Sequence, residues 1–523
     1  MPAEAFCADR SAFVNPLAGP HWNGWGVDPG NSRSQPADMA GLRKDQIDRL
    51  KLKWAFGVPG GTAMRAQPTV AGGRLFFGSE AGDVYSIAAA SGCIHWVFHA
   101  GGGVRTAITL GEIGQRWGAY FGGRGSGGAM AYAVDAGTGR LIWEATVDDS
   151  RFARITGAPA LAAGTLYVPV TGDEDARTWE SGFECCRLRG SLVALDAQTG
   201  RQKWKTYTIA EPARPTRMNR EGVQQWGPSG AGIWSAPTVD AENGFVYAAT
   251  GDSHSEPAVA TSDAILAFDA NTGAMVWSRQ MTTGDVWNSA CVEGDAADCP
   301  EAHGFDFDFG ASPILAKLPG GKRALIGGQK SGIVHAVDPD NRGAVLWQTR
   351  IGRGGAAGGI QWGPAVDGRN VYVALSDAPD AFPGGRVEEL SRWFGKHFLH
   401  GGGGMFALRL IDGGRVWYTR PQCGWVWDCS PAQIAAVTHI PGTVFSGSVD
   451  GRLRAYSTDD GLVMWSENTA REFVTVNGVA GHGGGINGPG PVVAGGVVYV
   501  NSGYPGTGGR AGNVLLAFSI DGK

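Results

Sequence analysis

Val193-Ala-Leu-Asp-Ala-Gln-Thr-Gly-Arg-Gln-Lys-Trp204 decides the fold. It reads as an apolar strand closed by Asp, for which other repeats have a substitute, then a Gly-containing turn and a second strand that ends in Trp. The same order recurs from Val84 to Trp96, Ala131 to Trp143, Leu266 to Trp277, Val334 to Trp347, Phe406 to Trp417 and Leu453 to Trp465. An eighth strand, Val514-Leu-Leu-Ala-Phe518, has no Trp after it, and Leu52-Lys-Trp54 near the other chain end is the candidate partner. Between the units run stretches such as Pro68 to Phe77 and Pro491 to Tyr499, which alternate apolar and turn residues at strand period. Four short strands per repeat is the signature of a β-propeller, whose blades bury their faces against neighbours. The fold expected is therefore all-β, an eight-bladed propeller closed by N- and C-terminal strands. Residues 1–45 are expected to be an extension packing on it and 46–523 a single propeller. The repeat tryptophans read as wedges between blades rather than as cofactor contacts.

Composition agrees. Of 523 residues 85 are Gly and 19 are Trp, and only 18% are charged, which suits short strands and tight turns better than surface helices. A net charge of −5 without a basic cluster gives no footprint for nucleic acid. No apolar run approaches the ~18 residues of a membrane span, and the start Met-Pro-Ala-Glu-Ala-Phe-Cys7 lacks the regions of a signal peptide.

The chain holds eight cysteines. Cys185 and Cys186 are adjacent, Cys291 and Cys299 bracket an acidic loop, Cys423 and Cys429 bracket Gly-Trp-Val-Trp-Asp, and Cys7 with Cys93 is the remaining pairing. Such local pairs suit disulfides in an oxidising compartment, so the expectation is a periplasmic protein whose leader has been removed. No spacing fits a zinc site, and no Cys-x-x-Cys-His is present for attaching haem.

Features outside the repeat cluster in the middle blades: the adjacent cysteines, Thr171-Gly-Asp-Glu174, Ile233-Trp-Ser-Ala-Pro237, Thr250-Gly-Asp252, Phe305-Asp-Phe-Asp-Phe309 and Gln329-Lys-Ser-Gly332. Equivalent loops of successive blades converge at one end of a propeller axis, so these can line one pocket. Oxygen ligands such as Glu174 and Asp252 suit a hard cation. The Trp234 indole suits a flat aromatic ligand. A disulfide between neighbours, whose Cα atoms lie about 3.8 Å apart, closes a small stiff ring that could cover the other face.

This set, with Asp306-x-Asp308-x-x-Ala-Ser-Pro313 and Lys330-x-Gly332, resembles the eight-bladed quinoprotein alcohol dehydrogenases that use pyrroloquinoline quinone (PQQ) with calcium. Trp22-Asn-Gly-Trp-Gly26 with Asn31-x-Arg33, Cys185-Cys-Arg-Leu-Arg-Gly-Ser191, Asp285-Val-Trp-Asn288, Trp427-Asp-Cys-Ser-Pro431 and the stretch from Gly488 to Phe518 extend the resemblance, most closely to the polyvinyl alcohol dehydrogenase branch. The resemblance implies Glu174, Asp252, Asp306 and Asp308 as metal ligands for calcium, or a lanthanide in its place. It implies Trp234 beneath the quinone and Lys330 beside its oxygens, stabilising developing negative charge. Asp306 becomes the general base, with Asp308 secondary and closer to the metal; a rival alignment through Asp285-Val-Trp-Asn288 puts an amide where a base is needed. Cys185 and Cys186 would cover the quinone, although here they occupy an insertion after Glu174. Arg105 and Arg189 are candidates for the PQQ carboxylates.

The activity implied is oxidation of a secondary alcohol, small or polymeric, to a ketone, with electrons passed to a separate cytochrome c or another acceptor. Two alternatives stand beside it: a PQQ dehydrogenase for a different alcohol or sugar, and a propeller that serves only as an assembly scaffold. His303 and His482 read as structural. Gly352 to Gly359 and Gly481 to Gly490 are not nucleotide loops, since neither follows a strand and opens a helix, and read as inter-blade or funnel-lining turns. Gly395 to His400 reads as part of a short helix over the pocket.

Overall fold

The computed structural model describes residues 2–8, 13–125, 127–293, 296–377, 403–421, 430 and 432–523. The Cys423–Cys429 pairing and the helix expected at Gly395 to His400 lie outside the described residues. Eight antiparallel meanders of four strands follow one another along the chain, and one of them carries an additional two-residue strand. Numbered in order, the blades span residues 69–99, 109–148, 160–207, 238–280, 314–350, 365–419, 438–468 and 492–520. The last is completed by Leu50–Gly57, which pairs antiparallel with Val514–Ile520 in a register running from Leu50 opposite Ile520 to Gly57 opposite Val514. The ring is thus closed by strands from both chain ends, and Trp54 supplies the tryptophan that the eighth repeat lacks.

The repeat tryptophans explain the spacing of the motif. Trp96, Trp143, Trp204, Trp347, Trp417, Trp465 and Trp54 each donate their indole N–H to a backbone carbonyl of the following blade, namely Ala136, Ala197, Ala270, Leu410, Thr458, Leu50 and Ala89, at 2.9–3.2 Å. In blades 2, 3 and 4 the turn after the apolar strand has an Asp that accepts from the N–H and hydroxyl of Thr three residues on: Asp135 from Thr138, Asp196 from Thr199 and Asp269 from Thr272. The glycine that follows must lie flat. Gly200, at φ +73°, sits against the Trp143 ring so closely that a Cβ would meet it at 2.7 Å. Gly and Trp therefore form an inter-blade joint that recurs around the ring, with an Asp–Thr turn beside it in blades 2, 3 and 4.

Inside that ring lies the N-terminal segment. Trp22 bridges Val70 of blade 1, Asn23 bonds Leu110 of blade 2, and the Asn31 side chain donates to Pro237 and Thr238 of blade 4. Gly30 and Ser32 carbonyls accept from Leu315 and Val366 of blades 5 and 6, and Gln35 donates to Val493 of blade 8. Arg33 serves blade 7. Its guanidinium, 1% exposed, donates to Val437 O, Thr438 Oγ1, Gln67 Oε1 and Trp25 O, and stacks on the rings of Trp22 and Trp25. The segment holds the inner strands of every blade but the third, as an axial plug and not merely an outer layer.

Replacing Arg33 with Ala should remove four buried hydrogen bonds and lower the unfolding free energy by at least about 3 kcal/mol. Denaturant titration checks this; a midpoint unchanged from wild type would show that the plug bears no such load.

Candidate active site

The insertions of blades 3 to 5 meet at one end of the axis. Val170 at the end of an inner strand of blade 3 leads through Thr171 to Glu174, which begins the excursion carrying Cys185 and Cys186; these are bonded to each other. Glu174, 3% exposed, accepts the N–H groups of Arg187 (2.7 Å) and Leu188 (2.6 Å) on Oε2 and so pins the chain just past the disulfide. The backbones of Cys185 and Trp226 pair with each other, tying this excursion to the hairpin Arg214–Met218/Gln224–Gly227. Cys291 bonds Cys299, and Cys7 bonds Cys93, so the expected pairings are found wherever both partners are described.

Asp252, Asp306 and Asp308 bring carboxylate oxygens within 4.8 Å of one another, all buried. Lys330 lies between two of them, its Nζ 2.7 Å from Asp306 Oδ1 and 3.0 Å from Asp308 Oδ2, and 5.3 Å from the centroid of the Trp234 ring. Asp308 Oδ1 also accepts the Asp252 N–H at 2.6 Å. Asp306 adopts φ +58°, a left-handed conformation that Asp tolerates better than most residues. Asp285 enforces it, since its carboxylate accepts the N–H groups of Phe305, Asp306 and Phe307. Asp285 is therefore a clamp for the turn. Asn288 is likewise structural, accepting from Thr178 Oγ1 and donating to the carbonyls of His254 and Asp298.

The carboxylates are electrostatically unequal. Burial, reinforced by the Asp308 charge against the pull of Lys330, raises Asp306 well above the usual carboxylate range. Asp308 is equally desolvated, but Lys330 and the Asp252 N–H outweigh that and hold it below the range. Lys330 is driven upward by the two carboxylates although burial opposes its charge. Asp252 is raised well above the range by burial and then by Asp308 and Asp306, and its Oδ2 has no donor. Glu174 is also raised, first by burial.

Beside Trp234 opens a small cleft lined by Trp25, Arg65, Arg105, Thr156, Ser235 and Trp362, among others. Trp234 packs edge-on against Trp362 with centroids 5.3 Å apart. Arg105 stacks on Trp362 at 4.8 Å, and burial lowers its proton affinity; no carboxylate forms a salt bridge with it among the described residues. Arg65 pairs with Glu80 at 2.9 Å and stacks on Tyr504.

The expected residues divide. Asp306, Asp308, Asp252, Lys330 and Trp234 come together. Glu174 stands outside the group of three, with one oxygen committed to the disulfide-bearing loop. Arg105 lines the cleft, whereas Arg189 does not: its guanidinium donates to Ile209 O and Ala210 O and stacks on Tyr207 at the edge of blade 3. Arg65 takes the second cationic place. A signal for it existed in the repeat phase, because Arg65, Arg105, Thr156, Trp234 and Gly310 all line the cleft and each lies four residues ahead of the first residue of an inner strand, at Thr69, Thr109, Ala160, Thr238 and Ile314. His303 is exposed; its ring bonds the Gly304 carbonyl and lies within 4.8 Å of the Cys291 and Cys299 sulfurs rather than in the Asp252–Asp306–Asp308 group. Asp263 was also silent in the sequence. It is fully buried at φ +50°, both carboxylate oxygens lack a donor, and the hydroxyl of neighbouring Ser262 points at Val259 O instead.

Fold and centre together are those of a propeller dehydrogenase. Residues 176–349, which hold every group around Lys330, match the family described as glucose/ethanol/alcohol dehydrogenase, beta-propeller domain. Residues 51–226 and 406–523 match the outer membrane protein assembly factor BamB family, which reflects the blade repeat on either side of that centre. The fold is shared with quinohemoprotein alcohol dehydrogenase from Comamonas testosteroni, at a TM-score of 0.69 and 18% identity over 96% of this chain and 81% of that one. Polyvinylalcohol dehydrogenase from a Pseudomonas species is 42% identical over 96% of this chain and 77% of its own length. That from Sphingopyxis sp. strain 113P3 is 38% identical over 99% and 79%. The chain belongs to the polyvinyl alcohol dehydrogenase family.

Asp263 provides a test of the electrostatics. Burial first, then the Asp308 and Asp285 charges, raise it well above its ordinary value, so the folded protein keeps a proton that the unfolded chain has already lost. Stability then falls as pH rises above about 4 toward the folded-state value. Asp263→Asn should remove that slope, and its gain in melting temperature over wild type should be larger at pH 8 than at pH 5. A gain independent of pH would mean that Asp263 is not protonated in the folded state.

Proposed function

We propose that the protein oxidises secondary alcohol groups, those of polyvinyl alcohol among them, to ketones, with PQQ as cofactor and calcium as its metal. The observation that carries the reading is the buried Lys330 between Asp306 and Asp308, set over the face of Trp234. Three convergent carboxylates against one lysine leave a net negative centre that favours a hard cation, and the Asp252 Oδ2 without a donor is of the kind such a cation satisfies. The Trp234 face and the unpaired Arg105 suit a planar, carboxylate-bearing aromatic. The residues therefore fit both groups.

Asp252, Asp306 and Asp308 would hold the metal, with Glu174 through Oε1; calcium fits this oxygen set, and a lanthanide is the alternative. Arg105 and Arg65 would bind carboxylates of PQQ, Trp234 would lie against its plane, and the Cys185–Cys186 disulfide would cover it. When bound, PQQ supplies a two-electron acceptor for the hydride of the carbinol carbon. Asp306 takes the hydroxyl proton. Lys330 holds its Oδ1 and so fixes how the carboxylate is presented to the alcohol. Lys330 keeps its charge beside Trp234 and can stabilise negative charge that develops there.

Electrons would leave to a separate cytochrome c or another acceptor. The three disulfides among the described residues support an oxidising compartment, the periplasm in this reading. No helix among the described residues is long and apolar enough to cross a membrane.

Purified protein given PQQ with calcium or lanthanum should bind the quinone and reduce a dye in the presence of secondary alcohols. No bound quinone and no dye reduction with either metal would sink the reading. Asp306→Asn should retain PQQ by absorbance while turnover falls at least about 100-fold; full activity would move the base elsewhere. Arg105→Ala should weaken PQQ binding measured by titration, and unchanged affinity would remove Arg105 from the cofactor site.

A further inference from the structure

One aromatic side chain beside the centre is rigid without being buried. Phe305 is 68% exposed, yet it precedes Asp306 directly and its ring stacks on Phe307 with centroids 5.3 Å apart and planes 26° from parallel. The backbone beneath both rings is fixed. Asp285, itself 2% exposed, accepts Phe305 N–H at 3.0 Å and Phe307 N–H at 2.8 Å, and Gly304 N–H donates to Val286 O. An exposed phenyl ring contributes little to folding, and scattered surface apolar residues are ordinary. This ring differs in being held by a buried carboxylate one residue from the group that takes the alcohol's proton.

The surroundings extend the same character. Trp179, Met218 and Val292 are large apolar side chains more than half exposed. Their segments are joined to the Asp285–Cys299 stretch: Thr178 bonds Asn288 and Ala290, while Arg217 and Asn219 of the Met218 hairpin bond Cys299 O and Asp298. Apolar side chains are thus displayed around the stretch whose first residue clamps the Phe305 turn.

We infer that Phe305, backed by Phe307, is a specificity-determining platform on which the methylene chain of a long or polymeric aliphatic alcohol lies while one carbinol reaches Asp306. The inference rests on the assignment of Asp306 as the proton acceptor. A short alcohol gains little from a ring outside the carboxylate pocket; a chain that continues past the reacting carbon can extend across it. The platform therefore sorts alcohols by length, acting on binding and leaving the chemical step alone.

The test compares Phe305→Ala with wild type on 2-butanol and on a vinyl alcohol oligomer, using the PQQ-loaded protein. Because the ring is exposed, the variant should fold as wild type does. KM for the oligomer should rise about tenfold, as expected for losing one phenyl contact, with kcat within twofold; both constants for 2-butanol should stay within twofold. Saturation-transfer NMR of the oligomer with cofactor-free protein gives a second readout, in which the signal on chain methylenes should fall in the variant. Equal effects on both alcohols, or unchanged KM and unchanged saturation transfer, would overturn the platform. If wild type oxidises neither alcohol, the reading under Proposed function fails, and the NMR contrast alone decides whether Phe305 holds the chain.

Discussion

A guanidinium with no carboxylate partner among the described residues sits at the middle of this protein. Arg33 makes four hydrogen bonds to neutral acceptors and stacks on two indoles, and burial pulls its pKa down to about 9, which still leaves it cationic at neutral pH. Its partners belong to blade 7, to Gln67 ahead of blade 1 and to the plug itself. The inner strands of a propeller present polar edges toward a channel, and a channel too narrow for bulk water would leave them unsatisfied. The segment from Trp22 to Gln35 supplies the missing partners. The cleft beside Trp234 has Trp25 in its wall, so the plug also shapes the space next to the reactive centre.

That centre conflicts with stability. Asp252, Asp263 and Asp306 are buried carboxyls whose desolvation is only partly offset, and Lys330 is shared between two of the group. Residues chosen for folding alone would not gather there. The inter-blade joints provide the compensation: an indole packed on a glycine of the next blade, with an Asp–Thr turn in blades 2, 3 and 4, locks neighbouring sheets away from the chemistry. Rigidity is distributed around the ring, and the left-handed Asp306 and Asp263 add backbone strain at the centre itself.

The ring could be read from the sequence because each joint is local: Asp196 to Trp204 contains most of what one blade needs to meet the next. Asp306, Lys330 and Trp234 were legible for a different reason, since they sit in motifs that depart from the repeat. Arg33 stood in a recognisable motif, yet its role was hidden because its Val437 partner lies 404 residues away. Arg189 and Arg65 show the opposite error. An arginine beside the disulfide looked suited to anions, but two carbonyls and Tyr207 claim it, while Arg65 reaches the cleft from an unremarkable stretch ahead of blade 1. Position relative to the inner strand, rather than residue type, separates the two.

Closure by Leu50–Gly57 sets an order of events during synthesis. The strand that seals the ring, and the plug ahead of it, leave the ribosome first, but their partners at Val514–Ile520 are made last. Until then the first segment has an unpaired edge and a set of polar groups without a channel to fill. The Cys7–Cys93 bond joins that segment to blade 1, 86 residues on, and so keeps it near the ring. Once that bond has formed, the chain can hold its own lock in reserve while the remaining blades assemble.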